Sequence, residues 1–239
     1  MESLDYWKDI ETLERYSFDS EQGKKRIEEM EKYFDKFSKY LGKKILDVGC
    51  GAGLFTFWLE EKGFSVTGID LNEKMLELAN QTKQKHNFKS KFYLTDAEKF
   101  ETNDKFDSII LFGNTIWNFS PQKFVKTIKN LEKLLNENSF ILINYRSLLE
   151  LLATKQWKDP FFDSETIVSF TLNYNDEEAY IEKMYVDLTE KKLPIKERFY
   201  VWSKAFLRAI MLALGYKLVD TIETKVDMCT TMDVFQKEK

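Results

Sequence analysis

The chain has 239 residues, enough to bury a sizeable core as one elaborated domain or two small ones. Its 36 basic and 40 acidic residues leave a net charge of -4, which argues against a general nucleic-acid partner. Two cysteines, Cys50 and Cys229, and one histidine, His86, are too few for a disulfide framework, a Cys-based zinc site or His-rich metal chemistry, so no metal site is expected.

The opening stretch "MESLDYWKDIETLERY" is acidic and lacks the apolar core of a signal peptide. Ile27, Met30, Phe34, Phe37 and Leu41 then recur at spacings of three and four. This predicts one amphipathic helix over residues 21–41, with Asp19 and Gln22 spaced as a capping box. From residue 44 the pattern switches. "KILDVG" reads as a buried strand, "LFTFWLEEKG" as a helix closed by Gly63, and "SVTGID" as a second strand. A helix over 73–85 precedes a third strand at 90–96 and a fourth at 105–113, and exposed His86 is expected near that helix's end. Ser120 and Pro121 start another helix, which buries Phe124, Val125, Ile128, Leu131 and Leu135. "SFILINYR" (139–146) is a fifth strand. Strands alternating with helices at this spacing imply a parallel sheet with right-handed crossovers.

After Arg146 the rhythm changes. A short helix in "LLELLATKQW" is followed by "ETIVSFTLNY", "EAYIEKMYVDL" and "ERFYVWS", which are rich in β-branched and aromatic residues. They predict an antiparallel insertion near residues 161–203. A helix near 204–214 follows, too short to cross a bilayer and carrying Arg208, so no membrane partner is expected and a cytoplasmic protein is. "YKLVDTIETK" and "TTMDVFQKE" close the chain as a hairpin at the sheet edge.

The chemistry concentrates in "KKILDVGCGAGLF". A strand entering a helix through Gly49, Cys50, Gly51, Ala52 and Gly53 turns at the carboxyl end of the sheet, where open α/β sheets bind ligands. Missing side chains let a ligand lie against the backbone. Asp70, ending the second strand, can accept from both hydroxyls of a ribose. The spacing G-x-G-x-G differs from the dinucleotide pattern G-x-G-x-x-G. Asp47, two residues before the first glycine, suits a ligand carrying an ammonium better than a pyrophosphate. Cys50 is expected as a small, buried packing residue within the loop.

"ILDVGCGAG" resembles the first motif of class I S-adenosylmethionine-dependent methyltransferases, and "GIDLNEKMLELA" resembles their second; "TDAEKF" and "FDSIILFGN" follow in the same order. The resemblance covers residues 44–146 well and the last helix and two strands loosely. It implies a Rossmann-like α/β sandwich with a mainly parallel seven-stranded sheet, an N-terminal helical lid and a small antiparallel insertion after the fifth strand. The expected organisation is a lid over residues 1–41, a cofactor-binding domain from 42–146 and 204–239, and a substrate-side β subdomain over 147–203. By the same resemblance the cofactor is S-adenosylmethionine. Gly49, Cys50, Gly51 and Gly53 border its methionine part and Asp47 lies near its ammonium. Asp70 holds the ribose, Leu71 lies against the adenine, Asp96 and Ala97 meet the adenine edge, and Phe112 and Gly113 offer backbone groups near the methionine end.

The acceptor is read from absences. No [Asn/Asp]-Pro-Pro-aromatic motif follows the fourth strand, neither cysteine follows a proline, and no Lys-Asp-Lys-Glu set is apparent. With the acidic charge, these favour a small-molecule acceptor, methylated at nitrogen or oxygen. An RNA or protein methyltransferase and a non-catalytic cofactor-binding subunit are the alternatives, and monomer and homodimer both stay open. "LFGNTIWNF" with "INYRS" is weakly similar to the glycine and sarcosine N-methyltransferase group, with Asn144 standing in for an acid and Ser147 for an asparagine. No catalytic residue stands out. Asn114, Trp117, Arg146 and Tyr16 are substrate-side candidates, Arg146 because its fork suits a carboxylate. Tyr6, Trp7, Tyr145, Trp157, Phe161 and Phe162 are further candidates for an aromatic pocket.

Overall fold

The computed structural model describes residues 16–162, 166–189, 194–226 and 229–238. Tyr6 and Trp7 lie outside these residues. Helix α1, Glu21–Glu31, is capped by Ser20, whose hydroxyl accepts from the Gly23 amide. The cap thus sits one residue later than Asp19, which instead pairs with Lys85 and His86. Nor does the apolar stripe run as one helix to Leu41. It breaks into α2, Phe34–Phe37, and a 3-10 turn, Ser38–Tyr40. Phe37 and Leu41 are thereby brought with Met30 into the layer on one face of the sheet, all three fully buried.

The alternating half follows as expected: β1 (Lys44–Val48), α3 (Leu54–Glu61), β2 (Ser65–Asp70), α4 (Glu73–His86), β3 (Lys91–Leu94), β4 (Phe106–Leu111), α5 (Pro121–Leu131) and β5 (Leu135–Tyr145). Local chemistry sets the boundaries. Asn72 caps α4 by accepting from the Met75 amide, and Ser120 caps α5 by accepting from Lys123 with Pro121 at its start. β5 begins earlier than expected because Leu135 pairs with Phe106 ahead of a register shift.

Between β5 and the final elements lie α6 (Leu148–Ala153) and four strands, β6 (Phe161–Phe162), β7 (Ile167–Asn175), β8 (Tyr180–Asp187) and β9 (Ile195–Tyr200). The extra strand, β6, pairs Phe161 with Ser169 and Phe162 with Val168. Then come α7 (Lys204–Ala213), β10 (Tyr216–Val226) and β11 (Cys229–Lys237). The large sheet has seven strands in the order β10-β11-β5-β4-β1-β2-β3, and the small antiparallel sheet is β6-β7-β8-β9. β1 pairs in parallel with both β2 and β4, so the chain order reverses direction beside β1. That is the switch point at which a crevice opens beyond the strand ends.

Alternation along the buried strands splits the core into two layers. Leu46, Ile109 and Ile141 pack on the face that also holds Phe124 and Leu207; Ile45, Ile110 and Leu142 pack on the face holding Met30 and Trp58. The small sheet joins the first layer through Ile181 and Phe199. Arg208 fastens α7 to β11, donating from two nitrogens to the fully buried Asp233 carboxylate at 2.9 and 2.8 Å, which also accepts from the Tyr145 and Thr221 hydroxyls. Among the described residues no helix is long and apolar enough to cross a membrane.

Candidate active site

At the end of β1 the chain turns sharply. The Gly49 and Cys50 amides both donate to the Ile69 carbonyl of β2, and Gly53 enters α3 in the left-handed region. Two glycines of this loop have different reasons to lack a side chain. A Cβ on Gly49 would stand 2.4 Å from Thr115 Cγ2, so that position is closed by the protein's own packing. A Cβ on Gly51 would meet nothing nearer than Met75 Sδ at 3.9 Å, and it borders a cavity. Of the two, only Gly51 keeps space clear for something other than the protein itself.

The tip of the loop is held by Asp70. One carboxylate oxygen accepts from the Gly51 amide and the other from the Asn72 amide, each at 2.8 Å. Burial pushes the Asp70 carboxyl above its usual range, against those backbone bonds, which pull it down. Asp47 sits behind the loop and not on the cavity wall. It accepts a 2.6 Å hydrogen bond from Thr56 of α3. Burial pushes its carboxyl up to about 7, the Thr56 bond opposes this, and the charge of Asp70 adds to it. Cys50 is buried, and burial raises its thiol well above the ordinary range, as an inert packing residue requires.

The cavity, about 370 Å³, gathers most of the residues singled out by sequence. Gly49, Cys50, Gly51, Asp70 and Leu71 line it, as do Asp96, Ala97, Phe112 and Gly113. Gly53, like Asp47, lies off the wall. Leu71 is 41% exposed, a bare apolar side chain at the rim. Asp96 is more heavily engaged than its position suggested: it accepts from the Glu98 amide at 3.0 Å and pairs with Lys123 of α5 at 3.1 Å.

All four substrate-side candidates also reach the cavity. Asn114, left-handed at φ 68, donates its amide to the Asn144 carbonyl and accepts from the Arg146 amide through its side chain. The Trp117 indole donates to the Arg146 carbonyl at 3.0 Å, and the Arg146 guanidinium lies 5.1 Å above the Trp117 ring. The loop after β4 and the end of β5 are therefore clamped together. Tyr16 lies elsewhere, against Ala52 and Met75 on the glycine-loop flank, with the Arg26 guanidinium 4.0 Å over its ring.

Trp157 and Phe161 line the cavity, but two other aromatic candidates do not. Tyr145 points into the core, where its hydroxyl meets Asp233, and Phe162 is 63% exposed on the short strand β6. Asn144 is fully buried, donating to the Thr224 hydroxyl and the Thr231 carbonyl, and does not line the cavity. Arg26, Lys123 and Lys183 were not singled out by sequence. For Lys183 a signal existed: the period of two along "YIEKMYVD" places it between Ile181 and Tyr185 on the buried side of β8.

The methyltransferase domain family matches residues 38–183, well over half of the chain. A Geobacillus sp. (strain WCH70) protein named as a methyltransferase is 27% identical over 186 residues, 77% of this chain and 68% of that protein. Glycine N-methyltransferase of Rattus norvegicus is 27% identical over 125 residues, spanning 46% of this chain and 43% of the rat enzyme. A solved S-adenosylmethionine-dependent methyltransferase from Clostridium acetobutylicum superposes with a TM-score of 0.71 at 15% identity, covering 98% of this chain and all of that one. A sugar N-methyltransferase from Streptoalloteichus sp. ATCC 53650 superposes with a TM-score of 0.68 at 12% identity, covering 97% and 94%. With the motifs and the cavity at the switch point, these matches make the chain a member of the methyltransferase domain family, an S-adenosylmethionine-dependent enzyme of the class I fold.

Proposed function

We propose that the protein transfers the methyl group to a nitrogen or oxygen of a small molecule. The observation that carries this reading is one continuous cavity, running from Asp70 and Gly51 to aromatic rings on the small sheet. Its volume suits small ligands rather than a macromolecular surface. The glycine and sugar methyltransferases it resembles are named for small acceptors.

The donor side follows from the residues present. The Asp70 oxygens accept from backbone amides of Gly51, Leu71 and Asn72, and the four lone-pair sites of a carboxylate leave some acceptor capacity for the ribose. Leu71 offers an apolar surface to the adenine, with Asp96 and Ala97 at its edge. Asp47 acts through its field, from behind the loop, on an ammonium. Arg26, held over Tyr16, is the guanidinium suited to the donor's carboxylate. Bound there, S-adenosylmethionine supplies an already activated methyl group. What remains for the protein is to align the acceptor and exclude water. Asn114, Trp117 and Arg146 fix the loop on the acceptor side, which Trp157 and, from the small sheet, Phe161 and Tyr185 border, while Tyr16 and Arg26 flank the donor.

The test begins with calorimetry of S-adenosylhomocysteine, expected to bind one per chain; binding of a nicotinamide dinucleotide in its place would sink the reading. Incubation with methyl-labelled donor and fractionated cell extract is expected to place label in the low-mass fraction. Label in RNA or protein would replace the small acceptor by a macromolecule. Arg146→Ala is expected to raise the acceptor KM while leaving donor affinity within about twofold.

A further inference from the structure

The inward face of β8 carries Ile181, Lys183 and Tyr185. Lys183 is only 8% exposed, an uncommon place for an ammonium unless something there calls for its charge. Three rings frame it: the Trp157, Phe161 and Tyr185 centroids lie 5.3, 5.7 and 5.8 Å from its Nζ. Glu197, its register partner on β9, is 2% exposed and keeps a counter-charge on the same face. Lys183 borders the cavity, whereas Glu197 does not.

A second cation, Arg146, stands over Trp117. Between them the rings form a chain: Trp117 to Phe199 at 6.2 Å, then Phe199 to Tyr185 at 6.4 Å. The acceptor half is thus an aromatic wall with a cation at each end. Lys158 adds a third basic lining residue, and the acids lining the cavity among the described residues, Asp70 and Asp96, lie on the donor side. An ammonium has three N–H donors, so Lys183 can serve Glu197 and still meet a ligand.

We propose that Lys183 anchors an acid group of the acceptor, which is an organic anion with a flat apolar body lying along Trp117, Phe199 and Tyr185. This rests on the methyl-transfer reading above and names the class of acceptor. Arg146 stands by the loop that borders the donor, and Lys183 at the far end selects for length and charge.

Three probes of one skeleton and different charge test it: 4-hydroxyphenylacetate, its neutral amide and tyramine, titrated into protein saturated with S-adenosylhomocysteine. 4-Hydroxybenzoate and 4-hydroxycinnamate serve as shorter and longer acids. At least one acid is expected to bind tenfold or more tighter than the amide and tyramine. Lys183→Met should reduce that preference to threefold or less, Lys183→Arg should keep it, and Glu197→Gln should tighten the acids. Equal binding of acid and amide, preference for tyramine, no binding by any probe, or a preference that survives Lys183→Met would each overturn the proposal. S-adenosylhomocysteine affinity is read separately: its absence in the unaltered protein sinks the donor site, while its presence without acid preference sinks only the anion anchor. Should Lys183→Met fail to fold, Lys183→Arg and Glu197→Gln still decide.

Discussion

The backbone amide of Gly51 donates to the Asp70 carboxylate across 2.8 Å, so the tip of one loop is fixed by the end of the neighbouring strand before any ligand arrives. Removing that carboxylate should cost twice. Asp70→Ala is expected to weaken S-adenosylhomocysteine ten- to a hundredfold, about 1–3 kcal/mol, through lost ribose bonds. It should also lower the melting temperature, because the Gly51 and Asn72 amides lose their acceptor. Calorimetry and thermal unfolding read the two effects separately.

The glycine loop predicts a dissociation between stability and binding. Gly49→Ala would drive a methyl into Thr115 and should destabilise the ligand-free protein by about 2 kcal/mol or more. Gly51→Ala meets no such clash and should cost only about 1–2 kcal/mol for its left-handed backbone, at φ +54. Its effect should fall on the ligand, with donor affinity down tenfold or more. Equal losses of stability, or unchanged donor affinity in Gly51→Ala, would contradict this assignment.

Asp47 should make stability depend on pH, and binding too if the donor's ammonium lies in its field as proposed. Its folded carboxyl is raised to about 7 from an ordinary 3.8, chiefly by burial. Between those values the folded state keeps a proton that the unfolded chain has released. Its stabilising contribution is therefore complete below about pH 4 and is lost as pH rises to 7. Asp70, also raised, acts in the same sense. Binding an ammonium favours the carboxylate, so donor affinity should rise from pH 6 to 8 with release of a proton. Calorimetry in buffers of different ionisation enthalpy measures that release, and Asp47→Asn should abolish most of it.

Arg208 and Asp233 separate architecture from chemistry. Asp233 is fully buried and Arg208 supplies its two nitrogen donors. The hydrogen bond to Asp233 raises the Arg208 guanidinium further, and burial raises the Tyr145 phenol beside the same carboxylate. Arg208→Met would leave a buried charge with hydroxyl partners only. Denaturant unfolding should show a loss of about 3 kcal/mol, with donor affinity within twofold where the protein is folded.

The parts of the fold legible in sequence were those with a local cause. Ser120 and Pro121 start α5 because a hydroxyl and a fixed φ act within one turn. The glycine loop is visible because its residues are consecutive. The break in the helix predicted over residues 21–41 was not legible, since it serves the burial of Phe37 and Leu41 against strands distant in sequence. Asp96 was seen as an acid at a strand end, but its ion pair with Lys123 depends on how α5 packs back. Of the aromatic wall only Trp117 was singled out, and Tyr185 and Phe199 escaped for the same reason, because the three meet only when the small sheet is seated.

The order β10-β11-β5 carries a cost during synthesis. β11 follows β10 in the chain, yet it lies inside the sheet, pairing with β5 on one side and β10 on the other. Until the ribosome has delivered Lys237, the backbone of β5 presents an open row of donors and acceptors beside a nearly finished parallel sheet. Such an edge invites pairing with another nascent chain. Among the described residues the sheet's other margin is β3, four residues long with a lysine first, a poor template for association. The hazard is confined to the interval before the β10–β11 hairpin docks, so chains cut short of β11 should depend on chaperones far more than chains that carry it.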